Sequence, residues 1–175
     1  TKIIKAGEKI KSAIHKRASK EEIANSDWTS CCKGPILKKD LENNLFVCAS
    51  CDKHHYISPT QRFDIMFGKN NWQKIDSPQP PPDPYNWQDT KKYTDRLKDA
   101  KKITGQDNAI LSCEAKINDI EVVVSAVNFK FIGGSISMAE GENVLASIQV
   151  AINKKCPYIF ISASGGMRMM TNMLS

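Results

Sequence analysis

Two successive glycines, Gly165-Gly166, lie in the chemically most suggestive stretch of this chain, Tyr158 to Met169. The apolar run Tyr158-Ile159-Phe160-Ile161 is rich in branched and aromatic residues and reads as a buried strand of a parallel sheet. It empties into Ser162-Ala163-Ser164-Gly165-Gly166, after which a helix start is predicted. At such a junction two consecutive backbone N–H groups can point at an oxyanion, helped by the positive end of the helix dipole. Glycine lets the backbone come close to a ligand that a Cβ would push away. Gly165 and Gly166 are therefore the candidate catalytic pair. A second pair, Gly133-Gly134, reads either as a tight turn closing a strand onto a helix or as a ligand contact. Arg168 reads either as an anchor for a phosphate or carboxylate, or as the partner of an acid such as Glu140 or Glu142.

A second constellation is built on sulfur. Cys48-Ala49-Ser50-Cys51 has the two-residue spacing of a zinc knuckle, in which the turn aims both thiolates at one tetrahedral ion. The pair expected some fifteen residues away is Cys31-Cys32, adjacent rather than spaced. Cys31, Cys32, Cys48 and Cys51 are the candidate metal ligands. His54 and His55 follow closely, as a spare ligand or as surface and packing residues. Cys113 and Cys156 lie in or beside apolar strands and read as inert packing groups. Six cysteines without secretory features argue for reduced thiols, a metal site and a cytoplasmic setting rather than for disulfides.

The positive charge is local. Residues 1–20 carry Lys2, Lys5, Lys9, Lys11, Lys16, Arg17 and Lys20 against Glu8, which accounts for the whole net charge of +6. Such a tail reads as a solvated segment, or alternatively as a contact surface for an acidic partner. No apolar run approaches the roughly 18 residues of a membrane span.

Positioning these groups requires four segments along the 175 residues. Residues 1–27 form a basic, weakly amphipathic lead-in and 28–57 a zinc-ribbon-like module. Residues 58–92 hold a helix capped by Ser58-Pro59 and stopped at Gly68, then an extended connector set by Pro78, Pro80, Pro81, Pro82 and Pro84. Tyr85 and Trp87 give that connector something to bury. Residues 93–175 supply the rest: a helix over Tyr93–Thr104 before Gly105, and strands over 109–117 and 121–131 joined by Asn118-Asp119. A helix over 139–153 follows, with Val144, Ile148, Ala151 and Ile152 as its apolar repeat, then the last strand after Pro157. Phe129 and Phe131 read as core. Strand, glycine turn, helix, strand, glycine turn is a βαβ crossover, so the fold class is α/β.

Several motifs in one order carry a family likeness: Trp28-Thr29, Leu41 to Leu45, Val47 to His55, Tyr93 to Leu97, Phe129 to Ser135 and Ser162 to Met169. From Trp28 onward the chain resembles the amino-terminal portion of the beta subunit of bacterial-type acetyl-CoA carboxylase carboxyltransferase. The resemblance implies a zinc ribbon followed by a partial crotonase-like ββα spiral. It implies transfer of a carboxyl group from carboxybiotin, held on biotin carboxyl carrier protein, to acetyl-CoA, giving malonyl-CoA for fatty acid synthesis. Biotin carboxylase would recharge the carrier, and a separate alpha subunit would share the active site in an α2β2 assembly. Gly165 and Gly166 would then hold the biotin carbonyl, with Gly133, Gly134 and Arg168 toward substrate. Departures from the pattern are the adjacent Cys31-Cys32, Met167 in place of alanine, and Met170-Thr171 in place of Gln-Glu. The family's beta subunit also runs on for over a hundred residues, so the 175-residue chain alone is expected to be inactive. The competing readings are a zinc-ribbon nucleic-acid binder using the basic tail, and an inactive scaffold.

Overall fold

A computed structural model describes residues 27–31 and 34–174 of the chain. Residues 1–26 of the basic lead-in and Cys32 lie outside the described residues. The chain divides into two compact units between Tyr56 and Ile57.

In the first unit, β1 (Trp28–Cys31) and β2 (Gly34–Leu37) pair antiparallel, with Cys31 opposite Gly34 across the hairpin tip. A short helix, α1 (Lys38–Asn43), buries Leu41. Below it the chain folds back on itself: Cys48 N–H donates to Lys53 O at 2.9 Å and His55 N–H to Phe46 O at 2.8 Å. Leu41, Phe46 and Cys48 are buried.

The second unit opens on α2 (Pro59–Phe67). Its start was legible because it is chemical. Gln61 N–H donates to Ser58 Oγ at 3.3 Å while Ser58 N–H donates to Gln61 Oε1 at 3.0 Å, a reciprocal capping box. A strand that the sequence did not announce, β3 (Trp72–Lys74), comes next. The proline connector is irregular as expected, although Tyr85 remains 49% exposed. Helix α3 (Tyr93–Thr104) ends at Gly105, whose φ of 67° is the left-handed conformation glycine adopts freely. Ile103, near its end, is exposed although Tyr93 and Ala100 are buried.

Strands β4 (Ile110–Ile117) and β5 (Ile120–Val127) form a hairpin through Asn118 and Asp119, both at positive φ. The second strand ends four residues earlier than its apolar run, because Asn128 Oδ1 accepts the Lys130 N–H at 3.0 Å and turns the chain. Phe131 is buried but Phe129, expected in the core, is exposed. A 3-10 turn (Ile132–Gly134) leads to α4 (Met138–Lys154) and then β6 (Tyr158–Ile161). The mixed sheet runs β3-β4-β5-β6, antiparallel except for the parallel β5/β6 pair that α4 connects. The chain is thus α/β.

Phe63 of α2 packs on Val122, Val124 and Ala126, and Ala151 of α4 packs near Val123, so β5 is covered on both faces. β6 is less buried than its composition suggested, with Phe160 exposed, since among the described residues it pairs on one side only. The buried face of α4 is also a correction. It presents Glu140, Asn143, Ser147 and Ala151 inward and leaves Ile152 out. The polar members are satisfied internally: Asn143 Nδ2 donates to Ile110 O at 3.2 Å, and Ser147 Oγ donates to Asn143 O at 2.7 Å.

Candidate functional site

Because β5 and β6 run parallel side by side, the glycine turns that follow them emerge at the same end of the sheet, the end where α/β folds place ligands. The two segments stay paired beyond the strands. Gly165 N–H donates to Gly133 O at 2.9 Å, Ile136 N–H to Gly166 O at 2.9 Å, and Arg168 N–H to Ile136 O at 2.7 Å. Gly134 is required by this contact: its φ is +63°, and a Cβ there would run into the carbonyl oxygen of Ala163. Gly133-Gly134 is therefore a tight turn braced against the segment entering the second glycine pair.

The donors differ from the expectation in two ways. No α-helix begins at Gly166; the chain continues through an isolated bridge, Ile136 to Met167, into a 3-10 segment, Met169–Leu174. The two glycine amides are not both open either. That of Gly165 is spent on Gly133, and that of Gly166 is held by the hydroxyl of its neighbour Ser164 at 3.0 Å. Residues 162–167 are all exposed, so the Ser164 hydroxyl can rotate away and release its amide. The Met167 amide has no acceptor among the described residues. The bridge sends Gly166 O and Arg168 N–H toward Ile136, which turns the Met167 N–H to the opposite side.

Arg168 is the first buried residue after this loop, 2% exposed. Of the two alternatives, the structure supplies the acid: Nη2 lies 2.8 Å from Glu140 Oε1, an ion pair with both side chains out of solvent. Nη1 donates to Tyr93 Oη and to Ser137 Oγ, each at 3.0 Å, and Nε donates to Ser135 Oγ at 3.0 Å. Nη2 also donates to the Ser135 carbonyl at 2.5 Å. The guanidinium sits 5.6 Å from the centre of the Phe131 ring. Glu140 is satisfied in turn, accepting Ala109 N–H at 2.8 Å and Ser137 N–H at 3.0 Å. The cavity beside this cluster is ≈ 50 Å3, partly roofed by Pro80, Pro81 and Pro82, and is far smaller than an acyl group with its carrier needs.

In the first unit the thiols of Cys31, Cys48 and Cys51 lie within 4.8 Å of one another. Cys31 Sγ and Cys51 Sγ are 3.3 Å apart, near the separation of about 3.8 Å that two 2.3 Å zinc–sulfur bonds at a tetrahedral angle require. Cys48 and Cys51 are brought together by their own turn, in which Asp52 N–H donates to Cys48 O at 2.8 Å. Cys31 arrives from the tip of the β1–β2 hairpin. Neither His54 nor His55 belongs to the cluster. The donor set is soft, half-buried and preformed, and it fits a metal ion. Cys113, by contrast, is buried in the sheet, and burial pushes its thiol up to about 12, so it is inert.

The chain is similar in sequence to a set of carboxyl transferase subunits. The acetyl-coenzyme A carboxylase carboxyl transferase subunit beta of Pelagibacter ubique is 55% identical over 174 residues, which is 99% of this chain and 56% of that protein. The subunits of the same name from Dinoroseobacter shibae and Beijerinckia indica are 37% and 38% identical over 95% and 85% of the chain. This chain is a relative of the carboxyl transferase beta subunits. It spans about half the length of the beta subunits it matches. No protein-family model matches it. Among solved structures, a transcarboxylase 12S core aligns with 66% of the chain and 20% of its own at 13% identity and a TM-score of 0.49. The beta subunit of geranyl-CoA carboxylase from P. aeruginosa aligns with 78% and 24% at 17% identity and a TM-score of 0.47.

In this beta-subunit relative, sequence reasoning missed Tyr93, Ser135 and Ser137, which complete the cage around Arg168. One local signal was present: Ser137-x-x-Glu140 has the spacing of a capping box. Nothing local marked Tyr93, which reaches the guanidinium from 75 residues away. Among the described residues no helix is long and apolar enough to cross a membrane.

Proposed function

We propose that this chain is the amino-terminal part of an acetyl-CoA carboxylase carboxyltransferase beta subunit. The complete protein, with an alpha subunit in an α2β2 assembly, moves a carboxyl group from carboxybiotin to acetyl-CoA in the cytoplasm. Biotin is carried by biotin carboxyl carrier protein and recharged by biotin carboxylase. The observation that carries this reading is the 55% identity over 99% of the chain. Residues 28–57 are then a zinc ribbon, 58–92 a helix and connector, and 93–175 the first part of a crotonase-like spiral.

The loop chemistry is consistent with that reaction. Carboxybiotin would supply the carboxyl group, its ureido nitrogen taking the proton that the acetyl methyl carbon gives up as the new carbon–carbon bond forms. Negative charge collects on a carbonyl oxygen, where fixed amide donors stabilise it. Gly165 shapes the turn by its bond to Gly133, Gly166 donates once Ser164 has rotated away, and Met167 adds a second N–H. Gly133 and Gly134 hold the opposing turn against this one, on the substrate side. Zinc, when bound, is structural, held by Cys31, Cys48 and Cys51, with Cys32 proposed as a ligand from the sequence alone.

The test is malonyl-CoA formation by the full-length protein reconstituted with its alpha subunit, carrier and biotin carboxylase. Activity is expected from the complete set and none from residues 1–175 alone. An inactive full-length assembly would overturn the reading.

A further inference from the structure

The loop that carries the candidate donors has no side chain of its own in the core: residues 162–167 are exposed, and the first buried anchor after them is Arg168. Its fork closes on the opposing segment, at Ser135 Oγ, the Ser135 carbonyl and Ser137 Oγ, and on Glu140 in the first turn of α4. Glu140 in turn accepts Ala109 N–H at the entrance to β4. Three elements are therefore tied at one point, all through charge-assisted bonds.

We propose that the buried Arg168–Glu140 pair is a positioning device, which fixes the spacing between the 133–134 and 165–166 turns and so aims the Gly166 and Met167 amides. This rests on the proposed carboxyltransferase reading for its catalytic consequence, but not for the coupling itself. A packing role alone would be indifferent to where the fork lands. Here the hydrogen bonds to Ser135 and Ser137 coincide with the three backbone bonds that join 133–136 to 165–168. Lysine cannot reproduce this, since its three donors share one nitrogen, whereas the planar guanidinium spreads its donors to reach four residues. A shift of about 1 Å in a positioned group can cost as much as 100-fold in rate.

The experiment uses the full-length subunit assembled with alpha and compares wild type with Arg168→Lys, Glu140→Gln and Tyr93→Phe. For Arg168→Lys, kcat per folded molecule is expected to fall about 10- to 100-fold with the KM for acetyl-CoA within about twofold. Tyr93→Phe keeps the ion pair and is expected to lose only a few-fold. Hydrogen exchange gives the readout independent of activity. In Arg168→Lys and Glu140→Gln, the hydrogen-bonded amides of Gly134, Ser135, Ile136, Gly165 and Arg168 should speed up together by at least about tenfold, while those of β4 and β5 stay protected. If either charged variant fails to fold, the graded Tyr93→Phe response in exchange decides in its place. Unchanged exchange in the two turns with unchanged kcat would overturn the proposal. An inactive wild type that still showed the coupled exchange would sink the carboxyltransferase reading and leave the positioning role standing.

Discussion

The amide of Gly165 reaches the carbonyl of Gly133 at 2.9 Å, so the two glycine pairs of this chain, 32 positions apart in the sequence, are one structure. Gly134 is the tightest point of it. Gly134→Ala must both hold an L residue at a φ of +63° and move the Ala163 carbonyl aside. A loss of about 1–3 kcal/mol is expected in urea unfolding. Gly141→Ala, inside α4 with open space around its Cβ, is the control and should gain about 0.5–1 kcal/mol. Equal midpoints for the two variants would show that the turns are not braced against each other.

Proline at Met167 removes the one amide donor at that position. Met167 has a negative φ, and the ladder bonds on either side belong to Gly166 O and Arg168 N–H. Met167→Pro in the full-length assembly is expected to reduce kcat by about 100- to 1000-fold, the usual cost of one lost oxyanion donor, while Met167→Ala stays near wild type. A proline variant as active as the alanine variant would remove this amide from the chemistry.

Elemental analysis of the purified protein should find one zinc per chain. Cys48→Ser is expected to lose it, because the buried thiol of Cys48 faces both of its partners, whereas Cys113→Ala retains it. Zinc retained in Cys48→Ser would place the metal elsewhere.

Cys113 sets part of the alkaline limit. The unfolded thiol ionises near its ordinary 9.0, while the folded one holds its proton to about 12 because burial penalises the thiolate, with a smaller contribution from Glu114. The unfolded state therefore binds fewer protons between those values, and stability present below pH 9 is lost as pH rises through 12, by about 1.4 kcal/mol per unit. Urea unfolding at pH 9, 10 and 11 should show a shallower decline for Cys113→Ala than for wild type. Parallel slopes would contradict the assignment.

What the sequence determined by itself were features whose causes lie within a few residues. Ser58 and Gln61 cap α2, Gly105 ends α3, Asn118 and Asp119 turn the β4–β5 hairpin, and Cys48 and Cys51 share a knuckle. Each depends on local backbone preference or on a short covalent path, so residue order suffices. The tertiary structure decided the rest. Trp72–Lys74 became a strand only by pairing with β4 some forty residues on. Glu140, Asn143 and Ser147 lie off the apolar repeat of α4, and only the sheet supplied their buried partners, since helical spacing shows which residues share a face but not what lies opposite. Arg168 had two readings of equal standing in the sequence, and only the burial of Glu140 against it, with Tyr93 and Ser137 alongside, chose between them. The open amides moved one residue along the loop for the same reason: a donor is free only if no distant carbonyl has already claimed it, and Gly133 had claimed Gly165.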